Sequence, residues 1–292
     1  MKNQNRKFVL TTIIPLFTEV AIFMVIPIIG TLIISFMNYN PLSQENSFVG
    51  IGNYIKLLSD TSFLTALKNT LFFTFVAVAI NIVISLFIAV LISQLKSNKT
   101  RSFFRMMMFL PCIAPMVASS VVWVRTIFPK DGLLNAIFTL LGANAISFTG
   151  DANYLMSSVI VFTLWADLGY NIILFCAGID GIPTDIYEAA NIDGAGTFKK
   201  FFKITLPLLV RTMAFVLLMT LISYFQMFAQ FEVLAVKGGP KESGLVLTSY
   251  IYKVAFGYRE MGYAAAISVI LFIVILIVSF VQKRMDKVDW EY

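Results

Sequence analysis

The chain contains no histidine. That removes the side chain most often used near neutral pH as a metal ligand or proton shuttle. Cysteine is scarce: Cys112 and Cys176 are the only two, each inside an apolar run and with no partner spacing. They read as small buried hydrophobes rather than as a disulfide or a metal site. Charged residues make up only 13% of the chain, less than a water-facing surface requires. No stretch matches G-x-x-x-x-G-K-[ST], so nothing in the chain is built to cradle nucleotide phosphates. No Gly/Ser linker or charge block separates a second domain, and residues 1–292 read as one domain. These absences argue against a soluble fold, a histidine metal centre, a resident cofactor and an enzyme that hydrolyses ATP itself.

What is present is apolar. Of 292 residues 59% are hydrophobic, and 28 are phenylalanine, so apolar surface must face lipid as well as a core. A spanning helix needs about 20 mostly apolar residues. Six stretches qualify, roughly 9–37, 67–94, 104–127, 155–178, 207–231 and 262–282. Each is too long and continuous for a strand of a membrane barrel. The first follows a short basic segment, but it runs to Phe36 without a small-residue cleavage site. It therefore reads as a retained membrane helix rather than a signal peptide. The fold class expected is all-α, a polytopic membrane protein with six transmembrane helices.

Lys and Arg set the orientation. With the N-terminus inside, the cytoplasmic side receives 14 of the 22 basic residues, including Lys2, Arg6, Lys7, Lys199, Lys200, Lys203 and Lys287. The outer side receives the remaining eight, although its loops, about 38–66, 128–154 and 232–261, are the longer ones. Both termini then lie in the cytoplasm. The net charge of +6 reports topology and anionic membrane lipid, with no call for nucleic acid. Short helices at the membrane surface are expected at Tyr54 to Leu58 and Leu133 to Phe138.

The connection between the fourth and fifth stretches, 182–207, is unusual. It reads as a helix, a glycine elbow and a second helix. Asp185 and Glu188 have the spacing of a capping box. Gly194 and Gly196 suit a helix end, Thr197 is placed to cap the next segment, and Pro207 to end it or begin the next span. Ala189, Ala190, Gly194, Ala195 and Gly196 leave a surface with little side-chain bulk. An amphipathic helix on headgroups would account for Phe198, Phe201 and Phe202 in lipid and Lys199, Lys200 and Lys203 on phosphates. It does not account for the first half.

Glu188, Ala189 and Ala190, then Gly194, then Ile204, Leu206 and Pro207 resemble the EAA loop of ABC importer permeases. In that family the loop is a coupling helix that docks in a cleft of the ATP-binding subunit. The resemblance implies that Glu188, Ala189, Ala190, Asp193 and Gly194 form the docking element. Ile204, Leu206 and Pro207 would set the return into the membrane. Weaker signals extend over nearly the whole chain: Phe48 to Tyr54, Asn69 with Thr70, Leu110 with Pro111, and Gly238, Gly239 and Pro240. They are similar to carbohydrate-uptake permeases of the maltose and glycerol-3-phosphate type. The implied role is one permease subunit of a binding-protein-dependent importer of a sugar, oligosaccharide or polyol-phosphate. The implied partners are a second homologous permease, two ATP-binding subunits that hold ATP and Mg, and an extracytoplasmic solute-binding protein. The implied location is the bacterial inner membrane.

Polar side chains inside a span are costly and are functional candidates by default. Thr163, Asp167 and Tyr170 recur at i, i+4 and i+7 in the fourth span. Thr220, Ser223, Tyr224 and Met227 form a similar stripe in the fifth. Two stripes of hydroxyls and aromatics with one carboxylate suit a sugar pathway. The competing account for Thr220 and Ser223 is interhelical glue, with equal weight. Asp167 also supports a different class of function, an ion-coupled secondary transporter. That reading lacks an internal repeat and a second mid-span carboxylate.

Overall fold

The structure, a computed structural model, describes residues 11, 13–43 and 46–285. The basic residues Lys2, Arg6, Lys7 and Lys287, used above for orientation, lie outside the described residues. The first element with defined bounds is α1 (Ile13–Ser35). A two-residue strand β1 (Met37–Asn38) then pairs antiparallel with β2 (Ser47–Phe48). Next come α2 (Gly52–Ser59), α3 (Thr61–Ser93), α4 (Asn98–Ile113), α5 (Met116–Ile127), α6 (Leu133–Leu140) and α7 (Ala152–Asp180). The remainder holds α8 (Thr184–Ile192), α9 (Thr197–Leu208), α10 (Val210–Phe225), α11 (Ala229–Leu234), α12 (Leu247–Tyr252) and α13 (Met261–Met285).

The protein is all-α and multi-pass. Among the described residues four helices, α1, α3, α7 and α13, are each long and apolar enough to cross a membrane alone. The other two expected spans are bent pairs. α4 and α5 meet at 89°, and α9 and α10 at 66°. The first bend follows from Pro115, which disfavours αR geometry in the residue before it. Ala114 accordingly sits at ψ 135° in extended backbone. In α9 a π-helical turn at Phe201–Thr205 ends one residue short of Pro207, whose missing N–H interrupts the usual ladder. The expected fifth span is displaced in consequence. Its helix ends at Phe225 rather than near residue 231.

The described residues divide into two compact units. One runs up to Leu64 and adds Tyr250–Ile273. Here Asn53 donates to the carbonyls of Ser35 and Met37 at 2.8 and 2.9 Å, and the Tyr54 and Ser35 hydroxyls pair at 2.7 Å. A Cβ on Gly262 would collide with the Met37 carbonyl. Lys56 pairs with Glu260 at 2.6 Å and stands 4.3 Å from the Tyr263 ring centroid. Asp60 ends α2 and leads into α3. Its carboxylate accepts from the hydroxyls of Tyr250 and Tyr263 and from the N–H groups of Ser62 and Phe63. Burial pushes this carboxyl up, but the four donors outweigh it and the net shift is downward.

The second unit holds Thr65–Ser249 and the described residues from Val274 onward. Helices in lipid gain little from hydrophobic attraction to one another, so close packing and hydrogen bonds must hold them. α3 is built for that. Ala66, Thr70, Thr74, Ala77, Asn81, Ser85 and Ala89 fall on one buried stripe. Against it pack Ile172, Phe175 and Cys176 of α7 with Leu209 and Val216. α4 meets α7 at Gly169, where any Cβ would strike the backbone of Met108 and Phe109. The Asn69 amide donates to the carbonyls of Glu242 and Leu245, both at 2.9 Å, and Thr70 accepts from the Leu247 N–H. Gly239, at φ +70°, faces Leu155 with no room for a side chain. The Asn69-Thr70 and Gly-Gly-Pro signals therefore have a structural job: they clamp the segment before α12 to the start of α3's apolar length.

Candidate functional site

Two places in the second unit hold the candidate residues. The first is the elbow between α7 and α10. α8 starts after Pro183 with no side-chain cap, so Asp185 stands in the first turn and not at the cap. There it acts on the helix dipole instead of closing a capping box. The end of α8 is specified more tightly. The Ala195 N–H reaches the Ala190 carbonyl at 2.9 Å, and the Gly194 N–H reaches Asn191 at 3.1 Å. This is a Schellman closure with Gly194 at φ +69° in the left-handed position. Thr197 is the first residue of α9 rather than its cap, a position taken by Gly196.

Glu188, Ala189, Asp193 and Gly194 are exposed, and Ile192 is 87% exposed at the tip. A Cβ at Gly194 or Gly196 would meet nothing. Ala190 faces inward at 8% exposure, so its methyl group packs instead of presenting a surface. Leu206 packs on the core, Ile204 is half-buried and Pro207 is exposed. The elbow is braced from behind. Tyr187 meets the Thr205 hydroxyl at 2.9 Å, and Lys200 donates to Asn191 at 2.8 Å. Beneath it lies a cavity of about 580 Å³ whose lining includes Ser93, Arg101, Asp180, Tyr187 and Lys200. Its charges are already engaged, since Arg105 and Arg101 approach Asp180 at 2.7 and 3.8 Å. The result is an exposed helix tip on a rigid base.

The second place is a cavity of about 130 Å³ between α7 and α10, lined by Asp167, Tyr170, Asn171, Met219, Thr220, Ser223 and Tyr224. Five of the seven residues expected on the pathway are thus brought together. Thr163 is not among them: it is fully buried, and its hydroxyl has no partner among the described residues. Met227 is not among them either. It lies past the end of α10, buried, with its carbonyl accepting from Thr248 at 2.5 Å. The seven-residue periodicity fails there because the helix has already ended.

Behind the cavity runs a chain of buried bonds that periodicity in two spans did not reveal. Asn81 of α3 donates to the Tyr224 hydroxyl at 2.7 Å. Asn171 donates one hydrogen to Asn81 Oδ1 at 2.7 Å and the other to Thr220 Oγ1 at 2.9 Å. Thr220 in turn donates to the Val216 carbonyl. Three helices are tied together at one level. An asparagine in an otherwise apolar span is a legible signal, and Asn81 carried it.

Residues 81–287 match the family described as "Binding-protein-dependent transport system inner membrane component". The chain is 36% identical, over 93% of its length and 86% of the relative's, to the arabinooligosaccharides transport system permease protein AraP of Bacillus subtilis. It is 34% identical to the multiple sugar-binding transport system permease protein MsmF of Streptococcus mutans, covering 94% of this chain and 93% of the relative. A solved structure of a bacterial alginate ABC transporter, in complex with alginate pentasaccharide-bound periplasmic protein, has a chain of the same fold. The TM-score is 0.86 at 23% identity, covering 98% of this chain and 96% of that one.

Proposed function

The chain belongs to the inner membrane components of binding-protein-dependent transport systems, and from that premise we propose that it forms half of the membrane pathway of an ATP-driven saccharide importer. The sugar class is supported by the names of its relatives, which are permeases for arabinooligosaccharides and multiple sugars. The partners are a second, homologous permease, two ATP-binding subunits and an extracytoplasmic binding protein. ATP hydrolysis belongs to those subunits and not to this chain.

The observation that carries the reading is the elbow. A short helix with an exposed acidic residue, an exposed alanine and a bare glycine turn stands on a braced base. Such a tip fits a cleft in another protein, because Gly194 and Gly196 admit close backbone approach beside the exposed Ile192. Its rigidity matters equally. A push at Glu188 passes through Tyr187 and Thr205 into α9 and hence to α10, which lines the cavity. Closure of the ATPase dimer then moves α10 against the rest of the pathway. The membrane is the bacterial inner membrane, with the elbow on the cytoplasmic side. An ion-coupled carrier built on Asp167 gains nothing from the relatives, which are transport-system permeases.

The test is Glu188→Lys in the complete reconstituted transporter. Solute-stimulated ATPase activity is lost while the subunits still co-purify. Wild-type coupled transport in this variant would overturn the assignment of the elbow.

A further inference from the structure

The hydrogen-bonding capacity of the cavity between α7 and α10 is lopsided. Asn171 has spent both amide hydrogens, on Asn81 and Thr220, so toward the cavity it offers only its carbonyl oxygen. Thr220 has spent its hydrogen on Val216 and accepts from Asn171. It is interhelical glue. Asp167 has no hydrogen-bond or ion-pair partner among the described residues, and it offers two acceptor oxygens. Tyr224 accepts from Asn81, which leaves its hydrogen free. Tyr170 and Ser223 are exposed hydroxyls. Met219 supplies apolar surface, and no lysine or arginine lines the cavity.

A ligand suited to this wall brings its own donors. Hydroxyl and ammonium groups do so. A carboxylate or phosphate brings only acceptors and a negative charge, against a fixed carboxylate in surroundings of low dielectric. Two like charges there repel more strongly than they would in water, which screens them.

We propose that this cavity admits neutral or amine-bearing saccharides and rejects uronates and sugar phosphates, with Asp167 as the specificity-determining residue. The proposal rests on reading the cavity as part of the solute pathway. It narrows that reading, because an importer of polyol-phosphates would need cations where this wall has a carboxylate. The buried asparagines hold the wall's geometry, and Asp167 sets its charge.

The test uses the complete transporter in nanodiscs without the binding protein, so that selection is made in the membrane. In a Cys112→Ser background, Ser223→Cys is labelled with a small thiol reagent; Cys176 is buried and reacts slowly. Lactose, the glucosamine disaccharide and digalacturonate are compared as protectants. Lactose and the glucosamine disaccharide slow labelling, and digalacturonate needs about tenfold more or higher concentration to do so. Asp167→Asn closes most of that gap, and Asp167→Glu restores it. Equal protection by all three probes with Asp167 intact overturns the charge selection and leaves the pathway reading standing. Protection by none of them overturns the pathway reading itself. Preferential protection by digalacturonate means that a cation of the partner permease has claimed Asp167, and overturns the proposal.

Discussion

The Asn81 side chain donates to the Tyr224 hydroxyl at 2.7 Å, a bond between residues 143 positions apart that ties α3 to the wall of the cavity. Both groups are buried, at 0% and 2% exposure. Removing either leaves the other without this partner in buried surroundings. Measured bonds of this kind within membranes average about 0.6 kcal/mol and reach about 1.7. We expect the upper part of that range, because Asn81 also serves Asn171. A double-mutant cycle of Asn81→Leu and Tyr224→Phe, read by thermal unfolding in detergent, checks it. Additive effects would mean that the two side chains are uncoupled.

Gly194 is replaceable only at a cost set by backbone geometry. Its φ of +69° lies in the left-handed region, and a Cβ there meets no other atom. Strain alone is therefore at issue. Gly194→Ala costs about 1–2 kcal/mol, paid locally in the elbow. Gly194→Asn costs less, since asparagine tolerates that region. The expected readout is weakened solute-stimulated ATPase activity, more in the alanine variant, with unchanged thermal stability of the membrane helices.

Gly169 presents the opposite case. Its backbone is ordinary helix, but α4 lies so close that a Cβ would strike Met108. Gly169→Ala forces the two helices apart, and overpacking of this kind costs about 1–3 kcal/mol. The loss appears as a lower unfolding temperature and lower yield of the assembled complex, before any effect specific to transport.

Asp60 makes a prediction in pH. Its carboxyl is held below the ordinary value of 3.8, because four hydrogen bonds to the ionised form outweigh burial. A depressed folded value stabilises above the unfolded value and is lost as pH falls through the folded one. The first unit should therefore show constant protection of the Phe63 amide between about pH 8 and pH 5, with loosening only below about 3.8. Hydrogen exchange measures this. Asp60→Ala should raise exchange at Ser62 and Phe63 at neutral pH and abolish the acid limb.

Much of the architecture was written in local composition. Runs of about twenty apolar residues require helices in lipid, so the spans were legible. So were the elbow at 182–207 and the short helices at Tyr54 and Leu133, now Gly52–Ser59 and Leu133–Leu140. The caps were less legible. Asp185 and Thr197 match capping patterns by spacing, yet Pro183 and Gly196 hold the cap positions because chain direction at the elbow sets them. The bends at Ala114 and Leu209 were foreshadowed by nearby prolines, but their angles depend on what each half packs against.

The sequence by itself determined that this is a multi-pass helical membrane protein with a helix–glycine–helix elbow between its fourth and fifth apolar stretches. Both are properties of contiguous residues, and contiguous residues carry their own chemistry. Only the tertiary structure decided which polar groups are free. Thr163, Met227, Thr220 and Asp167 all belong to the two stripes, Asp167 being the one carboxylate among them. The first is sealed in the core, the second lies beyond a helix end, and the third has its bonds filled by Asn171 and Val216. Asp167 alone keeps an unspent charge at the cavity. Helical periodicity says which residues share a face, while hydrogen-bond occupancy depends on partners as distant as Asn81.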